Sequence, residues 1–146
     1  MKTFLQLIFS LWLILFSTNL TAQTWNWASS FGSDMSNDFI QDMVADNQGN
    51  TYLAGSFIDP ITTAVDTITS LGGIDLFIAK YDSSGNLLWL RSGGGSLPLI
   101  PFFSSSESIS GIDVDEDGNL FVAGRFEDTL TFGNITVVNP NVQIST

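Results

Sequence analysis

The 146-residue sequence contains no histidine and no cysteine. Without cysteine there is no disulfide and no lipid-modified N-terminal cysteine, although an exported chain would be allowed both. Without histidine, the commonest general base and metal ligand is missing. Basic residues are almost absent too: four Lys and Arg stand against fifteen acids, a formal charge of −11. Phosphate backbones would repel such a surface, which argues against nucleic acid as a partner, and anionic membranes are disfavoured for the same reason. Stability must come from packing, with or without calcium.

Long apolar runs are also lacking, with one exception. Phe4–Phe16 (FLQLIFSLWLILF) is broken only by Gln6 and Ser10 and follows the positive Lys2. It is too short to cross a bilayer, for which about 20 residues are needed. The pattern fits a signal-peptide core, followed by polar Ser17–Asn19 and a cut after Ala22. Leu20 stands where a small residue is preferred, so a cut a few residues away is one alternative and an uncleaved anchor another. Residues 1–22 are therefore read as a signal peptide, and the product as secreted or held at the cell surface, with no stable membrane insertion after cleavage. Only Lys80, Arg91 and Arg125 remain as bases in the rest of the chain, against all fifteen acids.

What the sequence does have is internal repetition. DNQGNTYLAGSF at Asp46–Phe57 returns as DEDGNLFVAGRF at Asp115–Phe126, an offset of 69, and DSSGN at Asp82–Asn86 is a third copy of the turn. In each D-x-x-G-N the Asp carboxylate can cap backbone N–H groups and the Gly can take positive φ, so each is expected to be a hairpin turn. Trp27–Gly32 resembles Trp89–Gly94 at an offset of 62, and Thr62–Ser70 matches Thr131–Asn139 at 69. The seven-residue difference is an expansion around Ser96–Ser106. Such periods indicate repeated four-stranded units.

Strands are expected at 39–46, 51–57, 75–81 and 87–92. Along 51–57 and its second copy neither face is polar throughout, so both faces of the sheet are expected to be buried. The paired small residues Ala54–Gly55 and Ala123–Gly124 point to close backbone approach. The fold class is all-β, a partial β-propeller of four-stranded antiparallel blades. Residues 23–38 carry the outer strand of a leading blade (around Trp25–Ser30), 39–95 a full blade, 96–108 an inter-blade loop and 109–146 part of another blade. On this reading the propeller is incomplete and the chain a fragment, its partners being further blades or copies of itself.

The motifs GN-x-[YF]-x-A-G-x-F, GG-x-DLFIAKYD at Gly72–Asp82 and GNLLW-x-x-SGG at Gly85–Gly94 together resemble the bacterial beta-propeller repeat family abbreviated SBBP. The resemblance covers about Trp25 to Val138. It implies an exported bacterial protein of a kind common in Bacteroidetes, often ending in a sorting domain for type IX secretion, which nothing in this sequence matches. It implies a fold and an export route, and no agreed chemistry.

Asp113, Asp115 and Asp117, in D-x-D-x-D-G, are the candidate metal ligands, since three carboxylates around a tight loop suit Ca²⁺. An EF-hand would need an acid at the twelfth position, which is Gly124, and the ninth position used by propeller calcium loops is Phe121. Only the central Asp is shared with the first copy (Val44, Asp46, Gln48), which favours turn geometry. Lys80 is expected to pair with a carboxylate rather than to act as a catalytic amine. Trp25, Trp27 and Trp89 are candidates for a sugar platform, with inter-blade packing the favoured role. Ser96 and Ser104–Ser106 have no histidine or G-x-S-x-G elbow to activate them. The apolar Leu97–Phe103 is read as cover for a blade edge, ahead of a partner patch. Asn134-Ile-Thr136 matches a glycosylation sequon.

No catalytic residue and no cofactor beyond calcium is assigned. In an up-and-down blade the Asp46, Asp82 and Asp115 turns share one end, and the long connections Ile58–Gly73 and Gly93–Glu107 the other, where a ligand is expected. The sequence therefore reads as a non-enzymatic scaffold that binds an extracellular protein or glycan. The alternatives are a fragment of an extracellular carbohydrate-processing enzyme and a calcium-binding adhesion module.

Overall fold

The computed structural model describes residues 25–33, 38–95, 107–127 and 129–140. Residues 1–22, read above as a signal peptide, Ser96, the apolar Leu97–Phe103 and Ser104–Ser106 lie outside them. Among the described residues there are ten strands and no helix. They are β1 (Phe39–Ala45), β2 (Thr51–Phe57), β3 (Ile61–Thr62), β4 (Thr67–Ile68), β5 (Asp75–Tyr81), β6 (Leu87–Gly94), β7 (Ser108–Val114), β8 (Leu120–Arg125), β9 (Thr129–Phe132) and β10 (Ile135–Val138). The sheets are antiparallel and none is closed.

The four expected strands form an up-and-down ladder, β1-β2-β5-β6. D-x-x-G-N turns close its β1–β2 and β5–β6 hairpins and, outside the ladder, the β7–β8 hairpin, with Gly49, Gly85 and Gly118 at φ of +81°, +85° and +84°. A side chain at such angles is strained, which is why glycine recurs there. The 69-residue repeat is reproduced in atomic detail. β1 pairs with β2 through Ile40↔Gly55 with a bulge before Asp42, and β7 pairs with β8 through Ile109↔Gly124 with the same bulge before Gly111. The small hairpins match likewise, Ile61↔Ile68 against Leu130↔Val137.

Three features depart from the sequence reading. First, the ladder does not stop at four strands: β9 joins the edge of β6 through Gly93↔Phe132 and Gly94↔Thr131, making a six-stranded sheet β1-β2-β5-β6-β9-β10. Gly93 permits this because a Cβ there would overlap the Phe132 ring. Residues 109–140 are thus divided, β7–β8 forming their own two-stranded sheet. Second, Trp25–Ser30 pairs with no described strand. It lies across the sheet instead, with Trp27 stacked on Tyr81 at 5.8 Å and Phe31 tilted against Phe77 at 4.8 Å. Third, both faces are buried along β2 but not along β8, where Leu120 to Arg125 run from half-buried to exposed. β5 covers the second edge of β2, and no described strand does so for β8.

The core has two layers, one on each side of the ladder. Phe57, Ile61, Phe77, Ala79, Tyr81 and Leu90 form one, closed by Trp27 and Phe31. Ala54, Leu76, Ile78 and Ile109 form the other, with Trp89, Ile112, Leu120, Leu130 and Phe132 packed against them. The second layer joins the two repeats. Each fully buried Phe or Leu contributes roughly 1.5–3 kcal/mol.

A Cβ at Gly55 would overlap the Phe39 carbonyl oxygen and also the Phe77 ring, at 2.5 Å, whereas one at Gly124 would overlap the Ser108 carbonyl oxygen without a ring beside it among its nearest neighbours. Gly55→Ala is therefore expected to destabilise by about 1–3 kcal/mol and Gly124→Ala by less. Thermal unfolding of the two variants would show it, and a larger loss at Gly124 would contradict this packing.

Candidate functional site

The three turns use their aspartates in one way. Asp115 accepts from Asp117 N (3.0 Å), Asn119 N (2.7 Å) and Asn119 Nδ2 (2.8 Å). Asp46 and Asp82 make the same three bonds to the residues two and four positions on. The side-chain amide of the partner Asn is the main cause holding each carboxyl below its ordinary value, because these donors favour the charged form.

That geometry gives the aspartates of the candidate metal centre a role as turn residues. Among the described residues no group of three or more acidic side chains is gathered as a cation would need. Asp113, Asp115 and Asp117 are close in sequence but not brought together as ligands. Asp115 is committed to its own turn, and Asp113 accepts from the adjacent Val114 N at 2.9 Å. The D-x-D-x-D-G pattern is a turn with acidic neighbours.

Lys80 sits 3.8 Å from Asp46 Oδ2 and 4.7 Å from the centre of the Tyr52 ring, and the Tyr52 hydroxyl donates to the same Asp46 oxygen at 3.4 Å. The expected pairing with a carboxylate is present, and the ammonium ties the β2–β5 ladder to the first turn. Arg91 and Asp66 approach at 3.5 Å, but both side chains are well exposed and screened.

The tryptophans do not assemble a platform. Trp27 stacks on the Phe57–Tyr81 side of the sheet, Trp89 packs edge-on to Tyr52 among the residues of the other side, and Trp25 is 94% exposed. Trp27 and Trp89 each serve packing between successive segments.

Asp75 is the polar residue that the sequence reading passed over. It opens β5, is only 1% exposed, and accepts from the Leu71 amide, with Ser70 and Gly72 also donating to it. Burial is the main cause raising its carboxyl above the ordinary value. A visible signal existed: Asp75 is an acid inside the otherwise apolar run ILFIA. A Cβ at Gly94 would strike its carboxylate, so these two positions require each other.

Two clefts remain. One, about 490 Å³, lies between Ser29–Ser33 and the Thr62–Ala64 end of the small hairpin, with Tyr81 beneath. The other, about 450 Å³, separates the β5–β6 face, at Ile78 and Trp89, from the second repeat, at Val122, Phe126 and Leu130. Its lining is mainly apolar. No family model, curated protein or solved structure matches the chain.

Millimolar calcium is expected to leave the melting temperature unchanged, and Asp117→Ala to behave as native with or without it. A calcium-dependent rise abolished by Asp117→Ala would reinstate the metal site. The pH dependence of stability has two limbs. The turn carboxylates stabilise above the ordinary value of 3.8, and this is lost as pH falls through their lowered folded values. Asp75 acts oppositely: folding favours its protonated form, so stability declines as pH rises from 3.8 through its raised value. Asp75→Asn is expected to flatten that upper limb in thermal melts and keep the acid limb. An unchanged upper limb would show that Asp75 does not titrate as described.

Proposed function

We propose that the chain is a stretch of an exported β-propeller repeat protein that serves as a binding or structural scaffold outside the cell or at its surface. The observation that carries this reading is the stacking of the two repeats. Leu76 and Ile78 of β5 pack on Ile109, with Ile112 and Leu120 beside them, the way successive propeller blades bury their faces. The repeated bulge, turn and outer hairpin support the same reading, because a solenoid or propeller is built by stacking one unit on the next. The family resemblance rests on the motifs quoted above.

A scaffold role accords with how the reactive side chains are used. Lys80, Asp46 and Tyr52 satisfy one another, and Asp82 and Asp115 hold turns. The connection 58–73, which folds into the β3–β4 hairpin, displays the loops at which a protein or glycan would be met.

Expression of the full chain in a Gram-negative host is expected to give an exported form whose N-terminus is Gln23, read by intact mass. That form is expected to turn over no chromogenic ester, glycoside or peptide substrate. Retention of an uncleaved chain in the inner membrane would overturn the export assignment, and turnover that co-purifies with the chain would overturn the scaffold assignment.

A further inference from the structure

The junction between an outer hairpin and the strand that precedes its repeat occurs twice in the chain, once sealed and once open. In the second repeat β9 lies against β6, with Gly93 paired to Phe132 and Gly94 to Thr131. At the offsets of 62 and 69 these positions correspond to Phe31 with Thr63 and Gly32 with Thr62 in the first repeat. There the two sides stand apart. Residues 29–33 pair with no described strand, and the 490 Å³ cleft separates Ser30 and Phe31 from Thr62, Thr63 and Ala64. Both sides of each junction are described residues of this chain.

The backbone difference between the two junctions falls on one glycine. Gly94 lies within β6 and has no positive φ, whereas Gly32 takes φ of +148°, an angle that residues with side chains rarely adopt. Just beyond it the Ser33 amide donates to Asp38 Oδ2, a latch that fixes this conformation. The side chains are nonetheless matched in size. In the second junction a ring on the hairpin, Phe132, lies where a Cβ of Gly93 would be. In the first the sizes are exchanged: the strand carries the ring, Phe31, packed on Phe77 at 4.8 Å, and the hairpin carries the smaller Thr63.

We propose that residues 29–33 and the β3–β4 hairpin form a gate hinged at Gly32, which closes with Phe31 opposite Thr63 and Gly32 opposite Thr62 and seals the cleft above Tyr81. A hinge of this kind concentrates the φ/ψ change in very few residues. Closure gives the peptide groups of 29–33 the partners that those of β6 find in β9. It leaves the Thr63 hydroxyl in its own turn, where it donates to the Asp66 carbonyl and accepts from the Val65 and Asp66 amides. Open, the gate exposes a cleft lined by serine, threonine and tyrosine hydroxyls without a charged side chain. The gate needs only the two registers and holds whether or not the array closes as a propeller.

The chain has no cysteine, so an introduced disulfide can report closure. In the closed register Ser30 falls opposite Ala64, at the Cα separation of about 4.5–5.5 Å found between directly paired residues, which a disulfide spans. The full chain carrying Ser30→Cys and Ala64→Cys is expected to form an intramolecular disulfide under mild oxidant, read by intact mass. It should do so roughly tenfold faster than the chain with Ser29→Cys and Ala64→Cys, whose side chains point to opposite faces. Adding Gly32→Ala, which disfavours the open φ, is expected to speed closure about two- to fivefold, and Asp38→Ala, which releases the latch, to do the same. The oxidised form is expected to melt no lower than the reduced one. Thiols that stay fully alkylatable in oxidant would overturn the gate. Equal rates for the two cysteine pairs would overturn it too, as would a melting temperature lowered by the crosslink.

Discussion

Everything in this structure follows from one constraint on a β-strand: its two edges must be hydrogen-bonded and its apolar faces covered. An unpaired buried amide or carbonyl costs about as much as a lost hydrogen bond, so burial and pairing advance together. β2 and β8 make the comparison within one chain. Their sequences are near-copies, their bulges coincide, and their first partners sit in the same register. β5 at its second edge and Ile109 of β7 over its face separate the buried strand from the exposed one. Ala54 is fully buried and Ala123 is exposed, though nothing in the residues themselves differs.

The same constraint explains why so acidic a chain gathers its carboxylates so little. Each hairpin turn leaves backbone N–H groups pointing into a loop too short to satisfy them from its own carbonyls. An Asp at the first position accepts two of them with one oxygen and the Asn amide with the other. The charge is spent inside its own turn. Asp75 applies the logic at a buried place, where the 70–72 segment turns back onto β5 and its donors converge on one carboxylate. There, desolvation opposes the charge, and the hydrogen bonds only partly offset it.

Much of the fold was legible because local rules dominate it. Gly after two residues from Asp announces a turn, and alternation between two turns announces a strand, so β1, β2, β5 and β6 could be read directly, as could the pairing of Lys80 with a carboxylate, though not that the carboxylate is Asp46. The addition of β9 to β6 could not. It depends on Gly93 having no side chain where the Phe132 ring arrives, a contact between residues 39 positions apart that leaves no periodic trace. The three-aspartate pattern is ambiguous for the opposite reason: spacing shows which carboxylates are near in sequence, while hydrogen bonding decides whether they are free to converge. Burial along β8 was misjudged because apolar composition records what a strand can bury and not which neighbour covers it.

Exposed strand edges are usually blunted by lysine, proline or inward charge, which discourage indiscriminate pairing. β8 has little of this. Its residues LFVAGR include one charge, Arg125, at the far end, while Gly124 leaves room for a ring from the neighbouring strand. The repulsion of a net −11 acts over the whole molecule and disfavours like-charged copies.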